Sequence, residues 1–319
     1  MKIVFFGSSE ISVPFLEELY KSRHSVALVV TTADKPAGRG RRVVPNVVKS
    51  KASELGIDFI QIKNFDSSFF NKFKEIKFDV VVVTSFGKIF PEKIFSLTSA
   101  KWLNVHPSLL PKYRGPAPIV STLLNGDCVG GVSVIEVVPE VDAGDIYTQV
   151  KFKVEEDDNH DSYKQKVIKF GKTILLAVLD LLESNNIKPY PQGKSNIVYS
   201  RKITKEDLKI NWESSAAEIV NKVRAFSLNP GAYCLWKSLR IKILKANVPE
   251  GFINGSYFRE LKINENTKNG LIVKADRSTG ILVKCDKNEI VRIELLQPQG
   301  KRVMTAVAVS YTHLTLPTN

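Results

Sequence analysis

The first thirty residues limit the fold more than any later stretch. Residues 2–6 (Lys2, Ile3, Val4, Phe5, Phe6) are apolar enough for a buried strand, and Gly7, Ser8 and Ser9 form a turn. Ile11, Phe15, Leu16 and Leu19 then recur at helical spacing, with Pro14 tolerated in the first turn. Residues 25–31 form a second strand. Strand, helix and strand within about 30 residues make a βαβ unit, and a βαβ unit commits the chain to a parallel sheet. With one glycine in the first turn there is no G-x-G-x-x-G, which disfavours a dinucleotide site.

The alternation continues. A polar stretch, 32–46, sets Lys35, Arg39, Arg41 and Arg42 against the single acid Asp34, with Gly38 and Gly40 among them. A helix (47–55), a strand (58–61), a helix (67–74) and a strand (79–84) follow, and Val80 to Val83 is a continuous β-branched run suited to a strand covered on both faces. Ser85, Phe86 and Gly87 leave the carboxyl end of that strand, the edge where open α/β sheets bind ligands. A helix at 118–124, extended segments at 130–138 and 146–154 and an amphipathic helix at 162–183 complete a first domain, 1–184. Residues 185–200 are rich in Asn, Pro, Gly and Ser, and a linker is expected over 185–205. Beyond it, one helix within 212–226 and short β-prone pieces at 232–236, 241–246, 271–275, 281–285 and 290–296 suggest a small antiparallel barrel in a domain over 206–308.

Within this frame residues 101–118 read K-W-L-N-V-H-P-S-L-L-P-K-Y-R-G-P-A-P. A short strand ends in Asn104 and His106, which, two apart, share a face. An amide donor beside an imidazole suits stabilisation of a developing oxyanion. An isolated N-x-H is a weak signal, because a strand-end histidine is ordinarily structural. The sequel adds weight: Leu109 and Leu110 stand in a proline-bounded loop, where apolar side chains usually line something.

N-V-H-P-S-L-L-P-x-x-R-G resembles the folate and catalytic motif of the 10-formyl-tetrahydrofolate-dependent formyltransferases, and V-D-A-G-D-I at 141–146 resembles that family's downstream D-x-G-[DP]-I turn. S-F-G-K-I-F-P at 85–91 is similar to the family's S-Y-G-x-I-L-P. The resemblance implies a Rossmann-like, mainly parallel catalytic domain with helices on both faces, and an OB-like C-terminal barrel suited to nucleic acid. It implies catalysis by Asn104, His106 and Asp142, and a pocket for the formyl donor, 10-formyl-tetrahydrofolate, lined by Phe86, Gly87, Ser108, Leu109, Leu110 and Pro111. Asn104 and protonated His106 would hold the oxyanion, and Asp142 would partner His106 and help pass the amine proton through water.

Several enzymes share this domain, so the acceptor must be argued separately. The loop D-K-P-A-G-R-G-R-R, the helix end R-A-F-S-L-N-P-G-A and the late L-Q-P-Q-G-K-R-V-M are most similar to the branch of the family that formylates initiator methionyl-tRNA. Lys35, Arg39, Arg41 and Arg42 are then the expected tRNA contacts. A net charge of +13 and a pI near 9.5 are compatible with a polyanionic partner. An amino-sugar nucleotide as acceptor, or a folate- or RNA-binding homologue without chemistry, are the competing readings.

The three scattered cysteines suggest neither a disulfide framework nor a zinc site, and of the four histidines only His106 sits in a motif, so no metal is expected. No signal region or membrane-length apolar run is visible, and a cytoplasmic monomer is expected. Two departures from the family pattern stand out. R-A-F-S-L-N-P-G loosens its R-A-F-N-P-x-P-G, and 309–319 replaces its closing helical segment, as a non-native tail would.

Overall fold

The structure is a computed structural model, and it describes all residues except 38–41, 237, 250–260, 262, 264–265, 277 and 311–319. The chain divides into two compact units, one built from 1–118, 129–153 and 164–201 and the other from 119–128, 154–163 and 202–319.

The first unit opens as its sequence requires. β1 (Lys2–Gly7) leads through α1 (Ser12–Lys21) to β2 (Ser25–Thr32), which pairs with β1 in parallel. The stretch expected as a plain loop carries a small hairpin of β3 (Lys35–Ala37) and β4 (Arg42–Val44). Antiparallel pairing satisfies backbone groups that a bare loop would leave to water. α2 (Val47–Glu54) starts at Asn46, whose side chain accepts from the amides of Val48 and Lys49, a cap worth about 1 kcal/mol. After β5 (Phe59–Ile62), α3 (Ser67–Glu75) is capped by Asp66 and buries Phe69, Phe70 and Phe73. β6 (Val80–Thr84) and β7 (Lys101–His106) extend the parallel set. α4 (Pro118–Leu124), which falls almost wholly in the second unit, comes next; β8 (Val129–Glu136) and β9 (Ile146–Lys153) then add to the sheet in antiparallel fashion, and α5 spans His160–Glu183, its first turn belonging to the second unit. The seven strands run in the order β5-β2-β1-β6-β7-β8-β9.

Period-two alternation sorts the strand residues. Val4, Phe6, Val81, Val83 and Trp102 pack with the phenylalanines of α3 in one apolar layer, while Ile3, Phe5, Val80 and Val82 are buried on the opposite face. Burying both faces is what a parallel sheet demands. At the amino end of the sheet the buried His24 lies between the N-terminal ammonium (3.2 Å) and Asp180 (3.3 Å). Burial first, and then that ammonium, pushes its imidazole below the ordinary 6.5.

In the second unit α6 (Ala216–Phe226) begins with a capping box of Ser215 and Glu218. The strands β10 (Ala232–Trp236), β11 (Leu239–Asn247), β12 (Ile272–Asp276), β13 (Gly280–Lys284), β14 (Ile290–Pro298) and β15 (Met304–Thr305) make an antiparallel sheet in the order β10-β11-β14-β13-β12, with β15 beside β14. Ile219, Val223 and Phe226 of α6 bury against Ile243, Ile281, Val283, Ile293 and Leu296. Val309 and Ser310 end a short helix, α7 (Ala306–Ser310), and the rest of the expected tail, 311–319, lies outside the described residues. Among the described residues no helix is long and apolar enough to cross a membrane.

Candidate active site

β7 runs between β6 and β8, so its last residues emerge at the carboxyl edge of the parallel set. Asn104 and His106 lie on one face there, as their spacing requires. Both meet Asp142, 38 residues on from Asn104, in the turn between β8 and β9. The Asn104 amide donates through Nδ2 to Asp142 Oδ1 at 3.1 Å. The backbone N–H of Gly115 donates to Asp142 Oδ2 at 2.8 Å. His106 Nδ1 stands 3.6 Å from the same Oδ2.

The ring of His106 is buried, and its tautomer follows from its neighbours. Nε2 lies 2.9 Å from the Tyr113 carbonyl, which can only accept, so Nε2 carries a proton. Nδ1 at 3.6 Å from the carboxylate is near enough for an ion pair and too far for a hydrogen bond. One N–H is therefore committed to holding the ring, and the other nitrogen faces the acid loosely. Asn104 spends one of its two amide hydrogens on Asp142 and keeps the second.

The turn carrying Asp142 is tightly specified. Asp142 has φ +52°, a left-handed conformation that aspartate tolerates better than most side chains. Two residues on, a Cβ at Gly144 would overlap the Glu136 carbonyl, so only glycine lets the turn fold back against the end of β8. The Glu136 amide also donates to the Asp145 carbonyl at 2.8 Å. Residues 185–200, expected as a connector, run beside this site. Tyr190 pairs with Ile146, and Tyr199 with Arg114. Between them the Gln192 amide donates to the carbonyls of Asp142 (2.8 Å) and Gly144 (2.7 Å) and accepts from Arg114.

The residues expected to line a folate pocket divide by burial. Ser108 is fully buried; its hydroxyl donates to the Lys112 carbonyl at 2.7 Å, and its own carbonyl accepts from Ser133 Oγ at 2.6 Å. Leu110 is buried with Ile135 and Ile146, its carbonyl held by Gln149 at 2.9 Å. Phe86 is buried in an aromatic cluster, edge-on to Phe6 at 5.1 Å and stacked on Phe90 at 5.6 Å. These three side chains hold the loops from inside. Leu109 and Pro111 are half-buried, and Leu109 packs where Gly131 leaves room that a Cβ would fill. Gly87, at φ +73°, is exposed in the loop after β6, and Ile89 beyond it is 76% exposed.

Residues 1–179 match the model of the family described as formyl transferase, and 202–312 match that of the formyl transferase C-terminal domain. The chain belongs to the formyl transferase family. Relatives named methionyl-tRNA formyltransferase cover nearly all of it. That of Dictyoglomus thermophilum is 36% identical over 95% of this chain and 94% of its own length. The relative from Sulfurihydrogenibium sp. is 35% identical over 97% and 96%, and that from Thermotoga maritima 34% over 96% and 93%. Two solved structures share the fold. WlaRD, a sugar 3N-formyl transferase crystallised with dTDP and 5-N-formyl-THF, has a TM-score of 0.67 at 20% identity, covering 95% of this chain and 99% of its own. HypX from Aquifex aeolicus, in complex with tetrahydrofolic acid, has a TM-score of 0.63 at 19% identity, covering 97% of this chain and 46% of its own.

In this formyl transferase the cationic stretch after β2 is anchored at its base. Asp34 accepts from Lys49 Nζ (2.8 Å), the Asn46 amide (2.9 Å) and Gln61 Nε2 (2.7 Å), and these bonds, led by that from Lys49, hold its carboxyl down at about 2. Lys35 is exposed in β3, Arg42 opens β4, and Arg39 and Arg41 lie outside the described residues. Tyr113, Gly115 and Gln192 contribute to the site without having been singled out in the sequence. Gly115, in R-G-P, carries a turn signal, whereas Tyr113 and Gln192 act through a backbone carbonyl and a distant amide.

Proposed function

We propose that the protein transfers the formyl group of 10-formyl-tetrahydrofolate to the α-amino group of methionine esterified to initiator tRNA. The observation that carries this reading is the near-full-length similarity, at 34–36% identity, to relatives named methionyl-tRNA formyltransferase, against 20% for the sugar formyl transferase that shares the fold. Asn104, His106 and Asp142, convergent at one sheet edge, supply the chemistry such a transfer needs.

The neutral amine attacks the formyl carbon, the C–N bond forms, and the formyl oxygen takes up negative charge. The uncommitted N–H of Asn104 and a protonated Nδ1 of His106 donate to that oxyanion. A donor of this kind lowers the barrier by about 3–4 kcal/mol. The Tyr113 carbonyl keeps the His106 ring from rotating while this happens. Collapse of the intermediate breaks the bond to N10 of the folate. Asp142, acting through a water, carries the proton lost by the amine to that nitrogen, and the products are formyl-methionyl-tRNA and tetrahydrofolate. The donor sits against the loops at 85–91 and 107–111, with Leu109, Pro111 and Gly87 on the accessible side. Lys35, Arg39, Arg41 and Arg42 meet acceptor-stem phosphates, and the C-terminal sheet is a further tRNA contact.

Labelled 10-formyl-tetrahydrofolate, incubated with the protein and either methionyl-initiator tRNA or a dTDP-amino sugar, tests the reading. Label should appear on the methionyl ester. Label on the amino sugar alone would overturn the proposed acceptor, and label on neither would overturn the proposed transfer.

A further inference from the structure

We propose that Gln192 is a positioning residue for formyl transfer, because its side chain locks the turn whose backbone aims Asp142 at Asn104 and His106. The role rests on the functional reading above, but its geometry stands apart from that reading.

Nε2 of Gln192 donates to the Asp142 carbonyl at 2.8 Å and the Gly144 carbonyl at 2.7 Å, so one amide nitrogen bridges two peptide groups of the same tight turn. Its Oε1 accepts from Arg114 Nε at 3.1 Å and Nη2 at 2.9 Å. The amide orientation is unambiguous. Reversed, it would press an NH2 against a guanidinium and an oxygen against two carbonyls, turning all four contacts repulsive. Arg114 is itself buried and reaches Glu140, on the far side of the same turn, through Nη1 at 3.2 Å. The next residue, Gly115, donates its amide to the Asp142 carboxylate. Gln192 thus ties together the loop after β7, the turn between β8 and β9, and the segment that follows α5.

The turn needs such a tie because Asp142 stands at φ +52°, where a non-glycine residue stays only when its surroundings hold it. The two carbonyls pinned by Gln192 flank the Ala143 and Gly144 peptide groups, so releasing them frees the backbone that sets the direction of the carboxylate. A glutamate cannot replace this residue, having no N–H to give, and an asparagine is one methylene short. Gln192 reaches no reacting atom directly and acts through Asp142.

The alternative is that Gln192 merely anchors its own segment to Arg114. Gln192→Glu separates the two, since it strengthens the pairing with the guanidinium while removing both bonds to the turn. If Gln192 positions Asp142, this variant loses about 10- to 100-fold in kcat, as small misplacements of reacting groups do, with little change in KM for the folate. In an Asp142→Asn background the same substitution should cost less than about twofold, the non-additivity expected of residues acting through one another. A readout independent of activity is amide exchange at Gly115, whose bond to Asp142 Oδ2 should open about tenfold more often in Gln192→Glu. A variant with wild-type kcat and unchanged Gly115 exchange overturns the inference, as does an equal loss in the Asp142→Asn background. If the wild-type protein formylates no methionyl-tRNA, the functional reading fails, and the exchange measurement still decides whether Gln192 holds Asp142.

Discussion

Asp142→Asn is the most informative single change, because it keeps the shape of the side chain and alters only charge and hydrogen-bond polarity. The carboxylate accepts on both oxygens, from Asn104 Nδ2 at 3.1 Å and from the Gly115 amide at 2.8 Å. An asparagine offers one oxygen and one NH2. If its oxygen stays on Gly115, the new NH2 faces the Asn104 donor, and Asn104 relieves the clash by turning its amide over. Its hydrogens then leave the position proposed for the oxyanion, and one lost donor costs about 3–4 kcal/mol, or 10²- to 10³-fold in rate. If the amide sits the other way round, the Gly115 N–H is left facing a donor. Either way the partner of His106 Nδ1 loses its charge and the proton relay its base, a role worth about 10²-fold or more. The combined expectation is a fall in kcat of at least about 10³-fold. Stability should drop by about 1.5–3 kcal/mol, the range for a hydrogen bond to a charged group. Single-turnover formyl transfer and urea unfolding measure the two. A variant within tenfold of wild-type turnover would show that Asp142 is an ordinary turn aspartate.

Gly144→Ala should destabilise by about 1–3 kcal/mol, because its Cβ meets the Glu136 carbonyl and the turn must lift to make room; unchanged urea midpoints would refute the overlap. Arg41→Ala combined with Arg42→Ala should weaken tRNA binding and reduce the slope of log K against log salt by about 0.9 for each lost phosphate contact, leaving folate binding intact; an unchanged slope would remove these arginines from the interface. His24 has a folded pKa below its unfolded 6.5, so the unfolded state binds more protons between those two values. Its contribution is therefore fully present above about pH 7 and lost as pH falls through 6.5 towards the folded value. Unfolding free energy should decline over that window in the wild type and less in His24→Leu, and equal slopes would exclude the histidine as the cause.

The first unit was legible because its two strongest signals are local. A βαβ opening and a β-branched run at 80–83 require a doubly covered parallel sheet, and the structure places these strands side by side. The β3–β4 hairpin was not legible. K-P-A and R-V-V are three residues each, too short for a period to register, and their charges and the glycines between them in sequence read as loop. The antiparallel attachment of β8 and β9 also follows no local rule, since nothing in V-G-G-V-S-V-I-E states the direction of its partner. The neighbours of residues 185–200 were hidden for a related reason. Composition reports that such a segment makes no regular element, and it is silent on what the segment lies against.

The site divides along the same line. Asn104 and His106 were readable because strand period alone puts them on one face. Asp142 was readable only by resemblance, since its side chain reaches them across 38 residues of sequence. Ser108 and Leu110 show what loop composition leaves unsaid about where side chains pack. Apolar and hydroxyl residues in a proline-bounded loop suit pocket lining, and here their side chains pack inward, Leu110 into a small apolar cluster and Ser108 between the Lys112 carbonyl and Ser133. A loop with so little regular hydrogen bonding must draw its rigidity from such inward contacts, since buried backbone groups without partners are costly. Tyr113 at the end of the same loop supplies the carbonyl that holds the His106 ring. On the proposed reading, the interior residues of the loop would keep that acceptor in place, and the half-buried Leu109 and Pro111 would be left to meet the folate.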